Sequence, residues 1–515
     1  MTAPSLPQAP TPPPLRAEAA RPDTDRALFW LPVLTLALCW IIVPTKVVPN
    51  FRPETLQTLA AGQNWQPALL GHGALTCFLA DVFYDATQRA PWAPYFVAQM
   101  CVVLSLFICR ALAKRFLPER QAFAAAMAML SFCFFNIDST MLCGTVTTPI
   151  FWLGAIFFYH RALTEGKTAD WARTGLCLGL GMYCSPIIAD LALAMLICQI
   201  LPKAPQRRLS DPRFFRGAAL TAAVFALLVT PLVVWAFRHD GAGLFLPPSA
   251  PSLCPVPEVP RFFGALGIIA LLMLLPLLPM SALFQKRSDT DTADGGKEAA
   301  NALFLAVMFC TPIVTLGCRH LQAARAGQIF YLLPIFFLFH CGKKDPSPAR
   351  QWTGLALAVA VPVLILAAGS LVVLRYPART GRPLSCHFPG RPLSWAVWNQ
   401  WRSSGAFTPL PFVRGEERLA NNASVYGPNR PRVWSEEWAS EEDFDRQGGI
   451  WIWDDNDPDK ELIIAAIKER YPRAEFSASF LIPYRTKTKI PPLCVSMAVI
   501  PPRGGFLPPD IVPPH

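Results

Sequence analysis

Pro49-Asn50-Phe51-Arg52-Pro53-Glu54 is the stretch on which the reading of this chain turns. It follows a membrane-length apolar run at 27–43 and carries the first acidic residue beyond it, Glu54. Pro53 is suited to open a helix and Gly62 to close one, so a short helix is expected over 55–61. A carboxylate in the first turn, held beside a bilayer, suits metal binding or removal of a proton from a polar acceptor. The plainer alternative is a solvated Glu that complements the helix dipole.

Outward from that stretch, composition sets the class. Hydrophobic residues make up 53% of the chain and charged residues 16%, which argues against a string of soluble domains. Long apolar runs recur from Leu28 to Leu374, and the end of the chain is mixed and polar. After the first run, spans are expected near 92–112, 121–136, 145–161, 173–187, 188–200, 217–237, 262–284, 300–317, 327–341 and 352–374. Gly175, Gly179, Gly181 and Pro186, with the acidic Asp190, interrupt the 173–200 region. The fold class is a polytopic α-helical membrane protein of about eleven spans with a C-terminal α/β or α+β soluble domain. The expected organisation is a disordered cytoplasmic tail over 1–26, a transmembrane part over 27–374 with its first outward loop at 44–91, and the soluble part at 375–515.

The net charge of +11 does not point to nucleic acid, because the cations sit mostly in short loops between apolar runs. One set of alternate loops holds Lys114, Arg115 and Arg120, then Arg161, Lys167 and Arg173, then Lys203 to Arg216, then Lys286, Arg287 and Lys297, then Lys343, Lys344 and Arg350. The positive-inside rule assigns these loops and the N-terminus to the cytoplasm, so the Glu54 loop and the C-terminal part face outward. In that C-terminal part, 449–453 and 494–500 read as strands and 460–471 as an amphipathic helix with Leu462, Ile463, Ala466 and Ile467 on its buried face. Cys386 and Cys494 share this part and could pair in an oxidising compartment, or remain free thiols. No CxxC or Cys/His spacing points to zinc.

Further candidate residues lie in the outward loops. His72, with Glu54, could share a divalent metal or a proton relay, or could be an exposed loop histidine. Arg238-His239-Asp240 ends a span, where Arg238 could grip a phosphate and His239 and Asp240 a metal, or Arg238 could snorkel to the interface. Arg319 and Arg325 form a second basic patch that could face a lipid phosphate or anchor helix ends. Asp138, in the short outward turn 136–139, is a candidate for the site or a simple turn residue. No P-loop, GxSxG or nucleotide fingerprint occurs in suitable context, so nucleotide-driven chemistry is not expected.

These stretches together resemble glycosyltransferase family 39, the polytopic membrane enzymes of GT-C fold that include protein mannosyltransferases and the bacterial aminoarabinose transferase for lipid A. Glu54 followed by Gly62 and Trp65 is similar to the first outward loop of a bacterial subgroup of this type. His72 falls where that subgroup has His-Pro-Pro-Leu, and Phe158-Tyr159-His160-Arg161 and Gly175 to Met182 are similar to its middle spans. His387-Phe388-Pro389-Gly390-Arg391, Leu419-Ala420-Asn421-Asn422 and Tyr426 to Pro431 are similar to its C-terminal signatures. The resemblance implies transfer of a sugar from a polyprenyl-phosphate donor to an envelope lipid, glycan or protein. Glu54 would then be base or metal-associated group, with His72 assisting and Arg238, Arg319 or Arg325 at the donor phosphate. A divalent metal ion is the only cofactor in view. Gly71 and Ser185 stand where the subgroup carries lysines. Those departures keep a second reading in play, a polyprenol-phosphate-binding scaffold without catalysis. A secondary transporter is the third, although the chain shows no internal repeat.

Overall fold

The computed structural model describes residues 22–66, 73–132, 135–200, 212–238, 267–281, 330–341, 347–435 and 439–506. Its first part is a helical bundle. The chain enters through α1 (Pro22–Val47), then α2 (Pro53–Gly62), α3 (Ala74–Ala86), α4 (Ala93–Ala113), α5 (Glu119–Ala128) and α6 (Gly144–Glu165). It continues through α7 (Thr168–Met182), α8 (Ile188–Ile200), α9 (Pro212–Arg238), α10 (Gly267–Pro279), α11 (Leu333–Cys341) and α12 (Pro348–Thr380). Four of the described helices are long and apolar enough to cross a membrane: Phe29–Val47, Ala93–Ala113, Pro212–Arg238 and Ala349–Thr380.

These helices are apolar all round, as a lipid-facing helix must be. On α1, Phe29, Val33, Leu36 and Trp40 pack inward while Leu31, Leu34, Leu38 and Ile42 remain exposed. The glycines that interrupt the 173–200 region are packing residues. Gly175 lies against the backbone of Thr221 and Gly179 against Leu228, so α7 and α9 approach more closely than larger side chains would allow.

Several elements differ from the sequence reading. The helix that begins the bundle starts at Pro22, inside the stretch read as tail, and the last helix runs to Thr380, beyond 374. The first outward loop is not all loop, because α3 fills thirteen residues of it. The span expected at 121–136 ends early as a helix. Asn136 donates to the carbonyls of Leu130 (2.6 Å) and Phe132 (3.0 Å), taking up acceptors that a continuing helix would have used. The span expected at 300–317 lies outside the described residues.

The described loops segregate to two ends of the bundle. At one end Arg110 and Lys114 pair with Glu119 at 2.7 and 2.8 Å. Arg115, Arg161 and Lys167 converge there on Glu165, and Arg161 and Arg173 on the fully buried Asp170. At the other end lie α2, α3, the 136–143 turn and the end of α9.

Residues 385–435 and 439–506 form a mixed sheet of six strands with helices packed on it. The strands are β1 (Phe412–Gly415), β2 (Arg432–Val433), β3 (Gly449–Asp454), β4 (Glu475–Phe476), β5 (Phe480–Ile482) and β6 (Leu493–Ile500). Their order is β2-β1-β3-β6-β4, with β5 also on β6. β1 runs parallel to β2 and β3, and the pairs made by β6 are antiparallel. Val413, Ile450, Ile452, Val495, Met497 and Val499 fill the core against α13 (Gly390–Ser403) and α14 (Glu417–Tyr426). Trp401 is the largest side chain sealed there.

One reading of this part is corrected, and one left open is settled. On α16 (Lys460–Arg470), which follows α15 (Glu441–Gln447), the inward residues are Ile463, Ile464 and Ile467, which meet Trp453 and Ala498. Leu462 is 70% exposed, so the buried face sits one residue round from the expected one. Cys386 and Cys494 are both free. The Cys386 thiol lies near His387 Nδ1, and the Cys494 thiol donates to Asp455 Oδ2 at 3.3 Å.

Candidate active site

The chain between α1 and α2 is clamped on both sides, which fixes the start of α2 and with it Glu54. Arg52 and Thr55 grip the turn that carries Asp138. Arg52 Nη1 donates to Thr140 Oγ1 at 3.2 Å, and Thr55 Oγ1 accepts from the Leu142 amide at 3.0 Å. The turn is itself held by Ser139, which donates to the Asn136 carbonyl at 2.6 Å and accepts from Gln99 of α4 at 2.8 Å. Glu54 and Asp138 therefore come from separate elements onto one face, with Arg52 beside them. Glu54 is exposed, and Asp138 is half-buried.

The electrostatics follow from this placement. Burial pushes the Asp138 carboxyl up to about 6; Arg52 draws it down and the like charge of Glu54 raises it further. A carboxylate that titrates near neutrality beside a second, solvent-facing one is a common arrangement for proton transfer. Among the described residues no group of three or more His, Cys, Asp or Glu could hold a metal ion.

Arg238 is exposed at the end of α9. That end is tied to the first loop, because Trp235 Nε1 donates to Gln66 Oε1 at 3.0 Å. The structure thus brings Glu54, Asp138 and the helix end bearing Arg238 to one end of the bundle. His72, His239, Asp240, Arg319 and Arg325 lie outside the described residues.

The sequence reading missed the clamp. Phe51 stacks on Tyr426 (5.6 Å between ring centres, 17° between planes) and meets Tyr84 and Tyr95 edge-on. The Phe51 amide donates to the Tyr426 hydroxyl at 3.0 Å, and Asn50 Nδ2 donates to Asn422 Oδ1 at 3.0 Å. Arg430 reaches from the other side of α2. It donates to the Leu59 carbonyl at 3.0 Å and pairs with Asp81 and Asp85 of α3 at 2.7 Å each. It holds φ +46°, an uncommon backbone conformation for an arginine. The signal in the sequence was the Tyr426 to Pro431 motif, but nothing there identified its partners in the first loop.

Residues 72–235 match the family model described as dolichyl-phosphate-mannose-protein mannosyltransferase. Glu54 and the C-terminal sheet lie outside that match. The structure of ArnT from Cupriavidus metallidurans bound to undecaprenyl phosphate superposes with a TM-score of 0.55 at 10% identity, over 91% of this chain and 97% of that one. The chain has the GT-C fold. A second GT-C structure, the arabinofuranosyltransferase AftD from Mycobacteria, gives a TM-score of 0.51 at 13% identity, over 94% of this chain and 40% of that one. No curated protein matches the chain. The GT-C fold bears out the resemblance drawn from the sequence.

Proposed function

We propose that the chain is an integral-membrane glycosyltransferase that moves a sugar from a polyprenyl-phosphate donor to an envelope lipid, glycan or protein acceptor. The observation that carries this reading is the exposed Glu54, held beside Asp138 and Arg52 at one end of a GT-C fold. The undecaprenyl phosphate in the ArnT structure supports a polyprenyl-phosphate donor. The segregation of loops supports a multi-pass protein of a bacterial plasma membrane. In it the cation-rich end and the N-terminus are cytoplasmic, and the Glu54 end and C-terminal sheet are periplasmic.

In the proposed reaction the Glu54 carboxylate takes the proton of an acceptor O–H. The acceptor oxygen forms a bond to the anomeric carbon from the face opposite the phosphate. The bond between that carbon and the phosphate oxygen breaks, the polyprenyl phosphate leaves with the electron pair, and the anomeric configuration inverts. Arg52 and Arg238 supply positive charge for the leaving phosphate, with Arg319 and Arg325 as further proposed contacts. A divalent cation, if bound, would be held by Glu54 with His239 and Asp240 as further proposed ligands.

Mass spectrometry of envelope glycolipids and glycoproteins, with and without the gene, tests the reading. A sugar missing from one species in the deletion, and restored by the wild-type gene, is the expected result. Identical profiles would favour the polyprenol-phosphate-binding scaffold.

A further inference from the structure

A cleft of about 100 Å³ opens between α2 and α14. Pro53, Leu56 and Gln57 give it one wall and Arg418, Asn421 and Asn422 another. At 3.6 residues per turn, the lining residue Gln57 stands about 60° round α2 from Glu54, so the cleft adjoins the face that carries Glu54.

One side chain in this cleft has no partner. Asn421 is 6% exposed and makes no hydrogen bond among the described residues. Its neighbour Asn422 is fully engaged, donating to the Arg418 carbonyl at 2.7 Å and accepting from Asn50 at 3.0 Å. The Asn421 amide is not sealed from solvent, so a ligand entering the opening would meet it without a protein partner. The other groups around the opening alternate in character. Arg418, lying over the Phe388 ring at 5.0 Å, offers donors, while Glu417 offers acceptors and hydrogen-bonds Gln57 across the cleft. The Ser385 hydroxyl can do both.

That set selects a chemical class. Arg418 also pairs with Glu416 at 3.3 Å and Asp454 at 4.0 Å, so carboxylates outnumber it around the opening and a phosphate is disfavoured, while among the described residues no group of three His, Cys, Asp or Glu could hold a metal ion. An apolar ligand would leave Asn421 unpaired. Hydroxyl groups that each donate and accept fit an amide, a guanidinium and a carboxylate set side by side. We propose that this cleft is a carbohydrate-binding subsite, which holds a sugar of the acceptor between the bundle and the C-terminal sheet. Its role as an acceptor subsite rests on the glycosyl-transfer reading; the binding itself does not.

The test is saturation-transfer NMR on the full chain in lipid nanodiscs. The probes are methyl mannoside, methyl glucoside, N-acetylglucosamine and arabinose, each at millimolar concentration. Wild type is expected to transfer saturation to the ring protons of at least one sugar. Asn421→Leu, of similar volume, should weaken that binding about tenfold, as should Arg418→Met at a half-exposed position that folding tolerates. Glu54→Gln should leave it unchanged. No transfer to any of the four sugars would overturn the subsite, as would transfer equal to wild type in both cleft variants. Sugar binding without turnover of a polyprenyl-phosphate donor would sink the glycosyl-transfer reading and keep the subsite. Turnover without sugar binding would sink the subsite alone.

Discussion

Arg430 and Asp81 form a buried ion pair at 2.7 Å, with side chains 5% and 10% exposed, that fastens the C-terminal sheet to the helices behind Glu54. Burial holds the Asp81 carboxyl above its ordinary range even with Arg430 beside it, so the pair does not recover the whole cost of its desolvation. Removing one partner should therefore hurt more than removing both. Arg430→Met is expected to cost about 3–5 kcal/mol, read as a fall in the thermal midpoint in detergent. Arg430→Met with Asp81→Met should regain most of it. A double variant less stable than the single one would contradict this account of the clamp.

Asp138 gives stability a pH dependence whose sign is fixed. Its folded value of about 6 stands above the ordinary 3.8. A carboxyl raised on folding contributes its stability in full below about pH 4 and loses it as pH rises through about 6. Asp138→Asn should thus stabilise the protein at neutral pH by about 1–2 kcal/mol, after discounting for partial exposure, with the gain vanishing below about pH 4. Thermal midpoints of the two proteins across that range check it. An Asn variant less stable at neutral pH would show that Asp138 is held ionised.

Gly390 opens α13 at the point where the clamp is tightest. A Cβ there would run into the side-chain oxygens of Asn422 and Asn50 and into the Tyr426 ring. Gly390→Ala is expected to cost about 1–3 kcal/mol and to loosen the first loop. Limited proteolysis should then cut near Asn50 faster than in wild type. Unchanged cleavage would mean that the Asn50–Asn422 contact gives way without consequence.

Much of the bundle was legible because long apolar runs separated by cationic loops leave few alternatives. The strands at 449–454 and 493–500 were legible as apolar runs too. Glu54 stood out as the first acid after the first span. What stayed hidden depends on partners far along the chain. Nothing near Arg430 in sequence indicates Asp81, and nothing near Thr55 indicates the Leu142 amide. α3 was read as loop because its polar residues, Asp81 and Asp85, carry no outward sign of the buried ion pairs they make. The face of α16 was misread because Leu462-Ile463-Ile464 offers two apolar stripes one residue apart, and only Trp453 decides between them.

The most direct test of the central claim is turnover by purified Glu54→Gln with a sugar-loaded polyprenyl-phosphate donor and a native envelope extract as acceptor. The variant is expected to fold as wild type, since Glu54 is exposed, and to transfer sugar about 10²–10⁴-fold more slowly. Transfer at the wild-type rate would contradict the assignment of Glu54 as the base.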